Sequence, residues 1–173
     1  MLIAITGTPG TGKSSTCAVL ARRGYAVVDL ADAARREGCI VGRDEVRQTD
    51  EVDIDLLRAR LRVPAKVAFL QAHYSHLLGV NMAIVLRCAP SVLRARLEAR
   101  GWPAEKVREN VEAEALDVIT QEAVQRIPFV FEVDTTESTP ERTADAVLGT
   151  LQGKTQGLEP GSVDRSREVP LWY

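Results

Sequence analysis

The chain has 173 residues, of which 45% are hydrophobic and 27% charged, and its formal net charge is −2. That suits one compact domain with enough apolar material for a core. It excludes a bulk electrostatic pull toward nucleic acid or an anionic membrane, and no stretch nears the roughly 18 apolar residues that a membrane span needs. The chain enters its first apolar run, Leu2, Ile3, Ala4 and Ile5, without the charged segment and cleavage site of a signal peptide. This run predicts a buried strand. Cys17, Cys39 and Cys88 are scattered, with no C-x-x-C spacing. They read as small buried hydrophobes in a reducing compartment, and a cytoplasmic location is expected.

Gly7-Thr8-Pro9-Gly10-Thr11-Gly12-Lys13-Ser14 follows that strand and fits the pattern G-x-x-x-x-G-K-S/T. Residues 15–23 after it predict a helix. Strand, glycine-rich turn and helix together turn the pattern into a phosphate cradle. Gly10 and Gly12 let the backbone curl so that successive N–H groups point inward, and those donors with the positive end of the helix cradle the β-phosphate of a nucleoside triphosphate. Lys13 would reach the β- and γ-phosphates of a nucleoside triphosphate. The Ser14 hydroxyl would ligate Mg²⁺, and Ser15 adjoins the same phosphates.

Four more short runs, residues 25–30, 66–70, 83–86 and 129–133, are nearly continuous and rich in Val, Ile, Leu or Phe. Parallel strands buried on both faces read this way. Helical patterns occupy 90–100, 103–123 and 140–152, the last preceded by Ser138 and Thr139 as cap candidates. Alternating strands and helices predict an α/β fold of the P-loop NTPase type, with five parallel strands and helices on both faces. Residues 31–65 form a long polar connection predicted to hold small helices, 53–61 among them. Residues 153–173 are rich in Gly, Pro and Ser and read as an extended tail, able to fold back through Val169, Leu171, Trp172 and Tyr173. The globular domain is therefore expected to span 1–152.

Several segments carry a narrower pattern. These are 7–15, Gly42-Arg43-Asp44-Glu45-Val46-Arg47, His73-Tyr74-Ser75-His76-Leu77-Leu78, Val85-Leu86-Arg87, Arg96-Leu97-Glu98-Ala99-Arg100-Gly101 and Asn110-Val111-Glu112-Ala113-Glu114-Ala115. Together they resemble the nuclear-type adenylate kinases, and their archaeal members in particular, over residues 1 to about 152. Pro160-Gly161-Ser162-Val163-Asp164 in the tail is similar to archaeal members too. The resemblance implies a five-stranded parallel sheet, a monophosphate-binding insert at about 29–52 and a short lid at about 99–109. It also implies transfer of the terminal phosphate of ATP to AMP, with ATP hydrolysis and Mg²⁺ as companion of the nucleotide. The implied partners, besides ATP and AMP, are a small-subunit ribosomal protein of the eleventh family and pre-ribosomal particles, through a role in small-subunit maturation and rRNA processing.

The same resemblance assigns residues. Arg35 matches an arginine that pairs with the acceptor phosphate, and Arg47 is a further candidate. A guanidinium suits that task because it donates in a planar fork and stays charged. The alternative for either residue is a solvated arginine of a polar helix face, and Arg35 is favoured over Arg47 for the acceptor. Arg100 matches the lid arginine over ATP. Arg96 lies four before Arg100, hence on the same predicted helix face, but Arg94 and Arg96 read equally well as exterior helix residues. His73 matches a residue beside the phosphates in the Walker-B-like segment, whereas His76 reads as structural. His73 and His76 give no metal site by spacing alone, since a third ligand is lacking. Gln71 stands where relatives carry Asp or Glu. Either Mg²⁺ binding and hydrolysis are weakened here, or Asp29, at the end of the second strand, supplies the acid.

Two functions from different classes fit. A nucleoside monophosphate kinase uses the arginines of the insert and lid. A ribosome-assembly ATPase, in which hydrolysis gates binding of a ribosomal protein, fits the tail and Gln71. A shikimate- or gluconate-type small-molecule kinase shares the P-loop and lid but finds no support at 42–47 or 73–78.

Overall fold

The computed structural model describes residues 1–45, 49–165 and 168. A five-stranded parallel sheet forms its centre, in the order β2-β5-β1-β6-β7. The strands are β1 Leu2–Thr6, β2 Ala26–Asp29, β5 Ala68–Gln71, β6 Met82–Arg87 and β7 Val130–Asp134. Each falls on one of the five apolar runs. Side chains alternate across the sheet, so β1 sends Ile3 and Ile5 into one core layer and Ala4 into the other. Leu20 of helix α1 (Lys13–Arg22) and Val147 of α7 (Pro140–Leu151) close the first layer. Leu30, Leu57 and Ala123 close the second.

Helix α4 (Pro90–Glu98) packs on α5 (Ala104–Ala115) through Leu93, Leu97, Val107 and Val111, forming a smaller satellite core. Cys17, Cys39 and Cys88 are buried free thiols.

The connection after β2 differs from the expectation of helices alone. It holds helix α2 (Leu30–Arg36), an antiparallel hairpin of β3 (Ile40–Asp44) and β4 (Thr49–Val52), and helix α3 (Ile54–Arg60). The hairpin strands are too polar to announce themselves by hydrophobic period. Their register is held by Ile40 opposite Val52 and by Arg43 opposite Asp50, whose side chains form an ion pair at 3.5 Å.

The single helix expected over 103–123 is two helices, α5 and α6 (Val118–Val124). They break at Asp117, whose φ of 55° is the only positive value at a non-glycine among the described residues. Asp tolerates that conformation better than most residues, and its carboxylate is drawn inward to the buried Arg87 guanidinium. The tail does fold back, but through Leu158, Gly161, Val163 and Arg165. Val169, Leu171, Trp172 and Tyr173 lie outside the described residues.

Candidate functional site

The turn between β1 and α1 lies at the carboxyl edge of the central strand, where doubly wound sheets receive ligands. Gly7 and Gly10 have φ of 129° and 96°. A Cβ on Gly7 would sit 2.3 Å from the Leu86 carbonyl oxygen, and one on Gly10 2.7 Å from the Leu93 side chain. Both glycines are thus needed for conformation and for space. Lys13 Nζ donates to the carbonyls of Gly7, at 2.6 Å, and Thr8, at 3.0 Å. Burial pulls its pKa down to about 8. Glu114 opposes the shift and Arg100 adds to it.

Behind Lys13, Gln71 at the end of β5 bridges two oxygens. Its Nε2 donates to Ser14 Oγ at 3.0 Å and to Asp29 Oδ2 at 2.9 Å. The other Asp29 oxygen accepts from the backbone N–H groups of Ala31 and Asp32, capping α2. Asp29 is therefore held between a helix cap and the P-loop serine. Among the described residues no group of three or more His, Cys, Asp or Glu gathers as a metal site. Ser14 Oγ and the Asp29 carboxylate nevertheless suit a hard cation that arrives on a triphosphate and keeps waters of its own.

His73 follows β5. Burial, then Lys13 and His76, hold its pKa at about 4, so its imidazole is neutral at pH 7. His76 is buried, with Nδ1 3.0 Å from Thr6 Oγ1 and Nε2 3.0 Å from Glu122. That is a satisfied structural histidine. Between the two, Tyr74 places a buried hydroxyl with no hydrogen-bond partner.

Three adjoining cavities surround these groups. One of about 450 Å³ runs from Lys13 and Ser14 to Asp29, Arg35, Arg43 and Tyr74. A second, about 1050 Å³, passes His73 and Arg100 toward Trp102, Lys106 and Asn110. A third, about 210 Å³, lies between Gly12, Ser15, Thr16, Arg96 and Ser138. Arg100 lines all three. Arg35 rests on Asp32 at 2.9 Å and Asp50 at 3.3 Å. Lys106 stacks over Trp102 at 4.2 Å from the ring centroid. Arg47 lies outside the described residues.

Sequence reasoning passed over four groups. Arg96 is no exterior residue. It donates to the carbonyls of Thr135, at 2.9 Å, and Thr136, at 3.2 Å, and lies 3.4 Å from Gly10 O. The spacing of four before Arg100 put both on one expected helix face, whereas α4 ends at Glu98 and Arg100 lies beyond it. Thr135 Oγ1 donates toward Thr11 O at 2.9 Å. Thr8 Oγ1 donates to Glu114 at 2.6 Å, and Glu114 in turn holds Arg87 at 2.8 Å. Glu114 follows Val107 and Val111 on the buried stripe of α5. A carboxylate on an apolar stripe needs a buried partner, and that was legible.

A parallel sheet carrying this turn and cationic cavities on its carboxyl edge defines a P-loop nucleotide-binding fold. A family model described as "AAA domain" matches residues 3–117. An Archaeoglobus fulgidus protein named "Putative adenylate kinase" is 45% identical over 172 residues, covering 98% of this chain and 94% of that protein. One of the same name from Methanothermobacter thermautotrophicus is 43% identical over 167 residues, covering 95% and 97%. The chain belongs to this P-loop nucleoside monophosphate kinase family and is an enzyme of its kinase and ATPase class. Among solved structures, TT1252 from Thermus thermophilus superposes with a TM-score of 0.61 at 22% identity, covering 91% of this chain and 98% of that one. A gluconokinase from Sinorhizobium meliloti 1021 gives 0.55 at 17% identity, covering 90% and 93%. These two share the fold.

Proposed function

We propose that the chain transfers the terminal phosphate of ATP reversibly to AMP, and hydrolyses ATP more slowly when no acceptor is bound. The observation that carries this reading is a single cavity joining the P-loop to the arginines of the insert, from Lys13 and Ser14 at one end to Arg35 and Arg43 at the other. An ATP switch needs no cationic pocket beyond the γ-phosphate, whereas a phosphoryl acceptor does. In this reading residues 1–152 form the catalytic domain, with the acceptor insert at about 29–52 and the lid at about 99–109.

The donor phosphates lie on the loop amides of Gly10 and Gly12, with Ser15 beside them. Lys13 and Arg100 neutralise charge that grows on the transferred group. Ser14 and Asp29 would hold the Mg²⁺ that accompanies ATP, which would supply electrostatic clamping of the phosphates. Neutral His73 orients the acceptor oxygen or a water by hydrogen bonding, without adding charge. Arg35 exchanges its carboxylate partners for the AMP phosphate, and Arg47 is a further candidate for that phosphate. The unpartnered Tyr74 hydroxyl, buried where the cavity passes Asp29 and Arg35, supports a polar ligand group there.

Arg35→Ala and Arg100→Ala separate the two ends. The first is expected to raise the KM for AMP at least about tenfold and leave ATP hydrolysis within about twofold, as for loss of a charge-assisted contact. The second is expected to lower both reactions. An unchanged KM for AMP in Arg35→Ala would remove the acceptor assignment.

A second reading rests on family resemblance and on Gln71 replacing an acid. It makes the chain an ATPase of small-subunit maturation, binding a ribosomal protein of the eleventh family. Steady-state assays with and without AMP separate it from the first, because such an ATPase needs no acceptor.

A further inference from the structure

We propose that residues 157–165, after the last helix, form a positioning element for the donor side of the site, acting on the P-loop through two hydrogen-bonded chains. The proposal rests on the phosphoryl-transfer reading above.

The first chain is buried. The backbone N–H groups of Gly161 and Val163 donate to Glu132 Oε2, at 2.9 and 3.2 Å. Its other oxygen accepts from Thr120 at 2.8 Å and from Arg87. Arg87 Nε donates to Glu114 Oε1 at 2.8 Å, and Nη2 to the Glu114 carbonyl at 3.0 Å. Glu114 Oε2 accepts the hydroxyl of Thr8, inside the P-loop. Glu132, Arg87 and Glu114 are 0%, 1% and 2% exposed. The second chain starts from Arg165, which pairs with Asp134 and donates to Thr136 Oγ1 at 3.1 Å. The neighbouring Thr135 is bonded to Thr11 of the P-loop and to Arg96. Between them, Leu158 O accepts the N–H of Glu132 at 2.7 Å, so the tail covers the open edge of β7.

The physical reason is satisfaction of charge. Two buried carboxylates share one buried guanidinium, and burying such charge is costly unless the remaining lone pairs find donors. The tail supplies both donors to one oxygen of Glu132. Without them Glu132 competes for Arg87, Arg87 loosens from Glu114, and the anchor of Thr8 is weakened. Thr8 and Thr11 belong to the loop that must hold phosphate-directed N–H groups in place. None of these bonds reaches the insert over 29–52, so only the donor side is coupled to the tail.

The test compares the full chain with a chain ending at residue 156, Arg165→Ala and Arg165→Lys. Each is assayed at a temperature where its own thermal melt shows it folded. KM is measured separately for ATP and AMP, and the Kd for ATP by isothermal titration calorimetry. The KM and Kd for ATP are expected to rise about tenfold on truncation and about threefold in Arg165→Ala, the range of network couplings. The KM for AMP should stay within about twofold, and Arg165→Lys should recover most of the loss. If truncation prevents folding, the two Arg165 variants decide. An unchanged affinity for ATP overturns the proposal. Equal loss for ATP and AMP also overturns it, because that marks general loosening of the fold. If the full chain transfers nothing to AMP, the phosphoryl-transfer reading fails instead, and the calorimetric Kd for ATP still decides the tail's role.

Discussion

Lys13 carries a strong electrostatic signature. Its ammonium is buried, and burial lowers its pKa to about 8. A bound triphosphate brings opposite charge to the ammonium and raises that pKa again. ATP binding above pH 8 should therefore take up a proton, and ATP affinity should fall as pH rises beyond 8. Calorimetry in two buffers of different ionisation enthalpy reads the proton directly. In the free protein the sign is opposite. Burying the ammonium costs stability at low pH, and that cost is relieved as pH rises from about 8 toward the ordinary 10.5. Lys13→Ala should lower turnover by about a thousandfold, as loss of a transition-state contact of this type does, with the fold intact by circular dichroism. Gln71 poses a different question, because it donates to both Ser14 and Asp29. Asp29→Asn keeps the α2 cap but removes the charge. It should shift the Mg²⁺ titration of activity to at least about tenfold higher concentration. Gln71→Asp places a second carboxylate against Asp29, so it should sharpen Mg²⁺ dependence. No change in Asp29→Asn would remove that residue from the metal's surroundings. The P-loop was legible because its spacing is diagnostic. The Gln71 bridge was not, since nothing in a sequence says which oxygens an amide will span.

The elements around the P-loop are fixed by a buried ion cluster rather than by helix propensity. A continuous helical pattern over 103–123 nonetheless breaks at Asp117, because Arg87 on β6 draws in Asp117, Glu114 and Glu132 together. A pattern read along the chain cannot see a partner 30 residues away. The hairpin of β3 and β4 was hidden because its strands are too polar for a hydrophobic period, its register resting on Ile40 with Val52 and Arg43 with Asp50. By contrast the five strands of the central sheet were legible, because strands buried on both faces carry their own apolar signature. Arg87→Met should destabilise the fold by about 3–5 kcal/mol, since it leaves buried carboxylates without their cation. Urea unfolding checks this, and a loss below about 1 kcal/mol would show that the cluster relaxes or takes up protons at little cost.

The fold as one body places a cationic cavity between a P-loop and an arginine-bearing insert, with Arg100 common to the spaces on either side. That arrangement was partly legible. The phosphate cradle followed from spacing, while Arg35 and Arg100 came from family resemblance. Thr135 emerged only when the chain was folded, whereas Arg96 and Glu114 left partial signals in the sequence. The central claim is that this cavity serves two nucleotides. It is tested most directly by product stoichiometry with ATP and Mg²⁺, in the presence and absence of AMP. Transfer gives two ADP for each ATP and AMP consumed, with no inorganic phosphate, and at a rate well above hydrolysis of ATP alone. One ADP and one phosphate per ATP, at a rate that AMP does not change, would contradict the account.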